Sequence, residues 1–257
     1  MLEIAVVSIV ALFASILTFF SGFGLGTILT PVMAIFFPIE VAISVTAVVH
    51  LLNNLFKIIL IGKNVNWKLL MQFGLPAIVG AFFGAKLLYA LTLENHAVEY
   101  ELFGNLFTTT IVNIVVAILL LVFVVLEFIP FKREGFDKSW IPIGGVLSGF
   151  FGGLSGNQGA LRSAFLIRLN LTKELFIATG VAIACVVDLT RIPVYLAGMP
   201  EGLLVEQSEL LFAASFSAFL GAYLGRKSLT KITLRHIQVI VAVLIAAVSV
   251  LLILGII

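Results

Sequence analysis

An all-α polytopic membrane protein is the fold class this sequence predicts, and three observations predict it. Of the 257 residues, 61% are hydrophobic and only 11% are charged, against about a quarter charged in a water-soluble domain. Uncharged runs such as Leu102 to Leu126 and Ile237 to Ile257 are long enough to cross about 30 Å of hydrocarbon. The charges collect in separated loops and form no stripe. Formal net charge is +2, from 15 Lys/Arg against 13 Asp/Glu, too small an excess for a nucleic-acid surface. The lipid bilayer is the expected partner, and no nucleic acid is. The first apolar run lacks a basic leader and a small-residue cleavage site, so it is expected to stay as a membrane element. Cys185 lies in an apolar run, where packing is its expected role.

Taken in order, Glu3 to Phe37 would be about 50 Å long as one helix at 1.5 Å per residue. Ser21-Gly22 and Gly24 are expected to divide it into two arms. Loops follow at Gly62 to Lys68, Thr92 to Glu101 and Pro130 to Trp140, with membrane-length helices between them. Pro142 to Asn170 repeats the divided arrangement, broken near Ser155 to Gly159. Later loops are expected at Asn170 to Glu174, Ala197 to Glu209 and Arg226 to His236.

Two registers relate the halves. A shift of 134 positions carries Ser21-Gly22 onto Ser155-Gly156, Asn54 onto Asp188 and Lys57 onto Arg191. A shift of 141 carries Gly80-Ala-Phe-Phe-Gly-Ala-Lys86 onto Gly221-Ala-Tyr-Leu-Gly-Arg-Lys227. The reading is a duplication: residues 1–128 form a first membrane repeat, 129–139 a cytoplasmic linker and 140–257 a second repeat, together one integrated transport domain. Lys63 and Lys68 place one loop inside, whereas the matching loop carries Glu201, Glu206 and Glu209 and no Lys or Arg. Glu94, Glu99 and Glu101 mark the next loop, against Arg226, Lys227, Lys231 and Arg235 in its counterpart. Lys/Arg bias sets orientation, so the repeats are expected to have inverted topology. Each would hold five helical pieces, the first two a broken-helix hairpin and the next three spanning. An eight-span parallel 4+4 repeat is the alternative, with Lys132 and Arg133 outside.

The polar positions then suggest chemistry. The first N–H groups of a helix have no intrahelical partner and favour an anion. Two half-helices facing each other are a recurrent binding device in inverted-repeat transporters. Ser21, Gly22, Gly24 and Gly26 at the first break, and Ser155, Gly156, Asn157, Gln158 and Gly159 at the second, are therefore candidate substrate contacts. Glycine and serine also suit tight helix crossings, which stays open as the packing alternative. Lys57 and Arg191 occupy matching intramembrane positions, Asn54 matches Asp188, and Arg162 follows the second break; Asn54, Lys57, Arg162 and Arg191 are candidate anion contacts. Asp188 lies three residues before Arg191, close enough to pair. Asp188 and His50 are candidate proton-linked groups, with ion pairing and core packing as their structural alternatives. No metal motif is present, and no metal or other cofactor is expected.

In these stretches the chain resembles the sulfite exporter TauE/SafE family of membrane permeases. They are Ser21-Gly-Phe-Gly-Leu-Gly-Thr-Ile-Leu-Thr-Pro31, Val41 to Thr46, Gly62 to Trp67 and Gly80 to Gly84, then Gly149 to Gly159 and Gly221 to Gly225. The resemblance covers nearly the whole chain. It implies a multipass permease of a prokaryotic cytoplasmic membrane that moves sulfite, sulfonates or related small anions. The expected function is a secondary transporter using alternating access, with a proton as candidate coupling ion; an anion channel and a non-transporting scaffold are the alternatives. Enzymatic activity is not expected, and oligomeric state is left open.

Overall fold

In the computed structural model, α1 (Leu2–Ser21) and α2 (Leu25–Ala34) take the place of a single long first helix. The structure describes residues 1–21, 24–94, 96–102, 104–129, 137–199, 201–227 and 234–257, excepting the side chains of Phe20, Ser21, Leu102, Glu127 and 234–238. Gly22, the Lys132-Arg133 pair and Lys231 lie outside the described residues, as do the side chains of Ser21, Arg235 and His236.

After Pro38 the chain enters α3 (Ile39–Ile61), ends it in a short turn Gly62–Asn64, and restarts at α4 (Trp67–Leu69). The Asn66 side chain caps that start by accepting from the Leu69 N–H at 3.0 Å. A π turn, Leu70–Gly74, joins α4 to α5 (Leu75–Glu94). Pro76, which has no N–H to donate, sits two residues beyond this widened turn.

The segment after α5 departs from expectation. Thr92 to Glu101 was expected as a loop and Leu102 onward as a helix, yet β1 (Ala97–Leu102) and β2 (Asn105–Thr110) form an antiparallel hairpin. Alternating Val98, Tyr100 and Leu102 supply the two-residue period of a strand. Tyr100 and Phe107, paired across the ladder, stack with centroids 5.7 Å apart. The helix begins only at α6 (Ile111–Phe128), capped by the Thr110 hydroxyl.

The second half runs α7 (Ile141–Ser155), α8 (Gly159–Leu166), α9 (Lys173–Ala197), the single turn α10 (Leu203–Glu206), α11 (Ser208–Lys227) and α12 (Leu234–Ile253). Among the described residues five helices are long and apolar enough to cross a membrane, and the protein is an integral membrane protein that is almost wholly helical.

Packing is dominated by α5 on α7, α1 on α11, α3 across α9 and α6 on α12. Glycine makes the first two contacts close. A Cβ at Gly84 would stand 1.9 Å from the Phe150 carbonyl oxygen, and one at Gly221 2.2 Å from that of Leu12. Small residues at four-residue spacing allow such backbone approach between membrane helices, where packing replaces the hydrophobic drive. The hairpin closes over the end of α12: the Tyr100 hydroxyl donates to the Ile253 carbonyl at 2.6 Å and Thr109 to that of Leu252 at 2.7 Å. These arrangements leave α3 and α9 crossed at the centre, flanked by the two broken helices.

Candidate anion site at the broken helices

Both interruptions fall where the sequence places them. α1 stops at Ser21 and α2 resumes after Gly24; α7 stops at Ser155 and α8 resumes at Gly159. Gly156 closes α7 in the left-handed region at φ 79°, where glycine carries no Cβ penalty. Neither α2 nor α8 has a side-chain cap, so their first N–H groups face the interior without one. The breaks meet. Thr27 Oγ1 donates to Asn157 Oδ1 at 2.6 Å, and a Cβ at Gly26 would lie 3.3 Å from the Gly156 carbonyl oxygen. Asn157 Nδ2 and the hydroxyls of Thr30 and Thr46 are buried there without a hydrogen-bond partner.

Behind this junction Asp188, on α9, gathers three partners. His50 Nδ1 lies 2.6 Å from Asp188 Oδ2; Gln158 Nε2 and Arg191 Nε donate to Oδ1 at 3.2 and 3.0 Å. Three donors on one carboxylate compensate its removal from water. Arg191 also donates from Nη1 to the Gly152 carbonyl at 2.6 Å, and the Tyr195 hydroxyl donates to that of Gly153. These carbonyls belong to the last turn of α7, where the broken ladder leaves acceptors that hydrocarbon cannot satisfy. Arg191 and Tyr195, four residues apart on one face of α9, fasten that end. The Asp188–Arg191 pairing anticipated from their spacing is present, with both residues fully buried.

On the other side of His50 lies a small cavity of about 20 Å³. Gly24, His50, Asn54, Lys57 and Arg162 line it, together with apolar side chains of α1, α8 and α9. Lys57 is 3% and Arg162 5% exposed. Arg162 Nη1 reaches Gln158 Oε1 at 3.4 Å, which links the cavity to the Asp188 network. Among the described residues no carboxylate pairs with Lys57; its ammonium stands 5.5 Å from the centroid of the Phe19 ring. Asn54 Nδ2 lies 3.2 Å from His50 Nε2. The tautomer that serves both contacts has Nδ1–H toward Asp188 and the Nε2 lone pair toward Asn54.

Of the residues singled out in the sequence, Gly24, Asn54, Lys57, Arg162 and His50 line one cavity. Gly26, Gly156 and Asn157 lie at the junction of the breaks, and Gln158 bridges junction and cavity. Arg191 stands behind them, engaged with Asp188 and α7 rather than lining the cavity. Ser155 turns back on its own helix, its hydroxyl donating to the Phe151 carbonyl at 2.9 Å, and Gly159 opens α8. Tyr195 and Phe19 were not anticipated, and Thr27 was anticipated only as the last residue of the first break. Thr27 sits inside the first glycine motif, and Tyr195 shares a face with Arg191 at i, i+4, so both carried a readable signal. Phe19 carried none, being one of 23 phenylalanines.

A helical membrane protein with two interrupted helices meeting beside a cationic cavity has the build of a membrane transporter. A family model for sulfite exporter TauE/SafE matches residues 7–252, and the chain belongs to that family. No curated protein and no solved structure matches the chain.

Proposed function

We propose that the chain is a secondary transporter that exports a small sulfur-containing or organic anion, such as sulfite or a sulfonate, across the cytoplasmic membrane of a prokaryote. The observation that carries the reading is the cavity that Lys57 and Arg162 share at the N-terminus of α2. An unpaired ammonium inside a bilayer costs about 2.5–3.5 kcal/mol on insertion scales. A bound anion offsets that cost, and the uncapped N–H groups of α2 add to the attraction. At about 20 Å³ the cavity has room for one water, so a sulfur oxyanion requires it to widen. A site that must open to load and close to carry suits alternating access.

Inverted-topology repeats would supply that motion. Under the 134-residue shift the end of α1 coincides with that of α7, and the starts of α2 and α3 with those of α8 and α9. Packing is reciprocal: α1 on α11 mirrors α7 on α5. The Lys/Arg-bearing ends of α3, α9 and α11 lie together, whereas the acidic hairpin meets the far end of α12. These features favour the inverted arrangement over the parallel 4+4 alternative.

His50 is the proposed proton carrier, because it touches both the cavity and Asp188. Protonation at Nε2 would make the ring a cation facing the anion, with Asp188 as its counter-charge. The decisive assay is uptake by proteoliposomes of a panel holding sulfite, sulfate, thiosulfate and small organosulfonates and carboxylates. Saturable flux with counterflow for at least one anion is expected, and it should fall at least tenfold in Lys57→Met and Arg162→Gln. A pH gradient should drive flux in the native protein and not in His50→Gln. Large unitary currents would mark a channel instead, and absence of binding and flux across the panel would overturn the reading.

A further inference from the structure

A second cavity, of about 230 Å³, adjoins the first. Asn64 at the end of α3, Lys173 and Glu174 at the start of α9 and Arg226 at the end of α11 line it. All belong to loops or helix ends that the Lys/Arg distribution assigns to the cytoplasm. Phe19 and Ile177 line both cavities. They are the partition between a chamber roomy enough for a hydrated small anion and one with room for a single water. Phe19 is 2% exposed, and the Lys57 ammonium, on the inner side, rests 5.5 Å from its ring centroid, within the range of a cation–π contact.

We propose that the outer chamber is a cytoplasmic anion-loading subsite and that Phe19 is the gate between it and the inner cavity, latched by Lys57. The proposal rests on the transport reading above and adds to it a station and a moving part. An anion entering past Lys173 and Arg226 meets Lys57 as the next cation inward. It competes with the Phe19 ring for the same ammonium. A full negative charge outbids an aromatic face in a desolvated site, because the ring offers only a quadrupole. Lys57 turns to the anion, the ring loses its hold, and the partition opens only when cargo is present.

The test is the rate at which a sulfonate-bearing, membrane-impermeant methanethiosulfonate modifies a cysteine in the inner cavity. Ser163→Cys, in a Cys185→Ala background, places the thiol on the cavity wall. Labelling from the Arg226 side is expected to rise at least tenfold when Phe19→Ala is added. It should stay within about twofold for Phe19→Tyr, which keeps the ring and its hold on Lys57. Ile177→Ala opens the partition from its other side and serves where Phe19→Ala does not fold; it too should raise the rate. Methanesulfonate in the vesicle medium, which leaves the thiosulfonate reagent intact, should accelerate labelling of the native-gate protein, and Lys57→Met should abolish that acceleration. Arg226→Gln should raise the methanesulfonate concentration needed for half-maximal acceleration about threefold or more. Unchanged labelling in both Phe19→Ala and Ile177→Ala, or a rise confined to the opposite side, overturns the gate. Failure of every anion to be transported while Phe19→Ala still speeds labelling would sink the transport reading and leave the partition standing.

Discussion

Lys57 and Arg191 are both basic residues buried inside apolar helices, yet their surroundings separate their work. Arg191 is held by Asp188 and by the Gly152 carbonyl, so its charge is spent on fastening a broken helix. Lys57 has the Phe19 ring and a cavity. Opposite outcomes are expected from neutralising them. Lys57→Met should leave the thermal midpoint in detergent unchanged or raise it while abolishing anion-induced stabilisation, since an uncompensated buried cation is a cost removed. Asp188→Asn should destabilise by about 3–5 kcal/mol, the usual penalty for stranding one member of a buried pair. Adding Arg191→Met to it should recover part of that loss, and a chemical-denaturation cycle of the two variants measures the coupling. A double variant as unstable as the sum of the singles would mean the pair is not the source.

At the level of the element, glycine decides which helices touch. Gly84 presses α5 on the Phe150 carbonyl of α7, so Gly84→Ala should cost about 1–3 kcal/mol or more through forced separation. Gly202, at φ 91° with open space beyond its Cβ position, should cost less on the same change, through backbone strain alone; relative thermal midpoints check the order. The broken helices were legible in the sequence because Ser21 to Gly24 and Ser155 to Gly159 interrupt runs too long for one span. The β1–β2 hairpin was not. Its second strand, Asn105–Thr110, runs into the apolar stretch that becomes α6, and hydropathy does not separate a strand from the helix that follows it. What holds the hairpin is distant: the Ile253 and Leu252 carbonyls at the far end of the chain.

For the whole molecule the reading depends on which loops share a membrane face. Single cysteines replacing Lys63 and Arg226 should be labelled by an impermeant thiol reagent from one side, and those replacing Glu99 and Glu201 from the other. Labelling of Lys63→Cys and Glu201→Cys from the same side would contradict inverted repeats, because these loops are the counterparts of one another. The candidate site was legible as a set of residues and not as an assembly. Gly24, Asn54, Lys57, Arg162 and His50 were each singled out, and they line one cavity. Gln158 was expected to offer its amide to the anion; its Nε2 donates to Asp188 and its Oε1 accepts from Arg162.

Composition and helix-breaking residues by themselves determined that this chain is a membrane protein with two interrupted helices and a few intramembrane charges. Those properties follow from local physics: burial of apolar side chains in lipid and the inability of a long helix to pass glycine clusters unbroken. Which charge faces a cavity and which fastens a backbone was decided only by the crossing of α3 and α9. That crossing sets Asp188, already paired with Arg191 on its own helix, against His50, while Lys57 meets Phe19 of α1 and the space beyond. Lys57 and Arg191 cannot be told apart by their places in apolar helices; the Phe19 ring of α1 and the Gly152 carbonyl of α7 come from other helices, and only the folded chain brings them within reach.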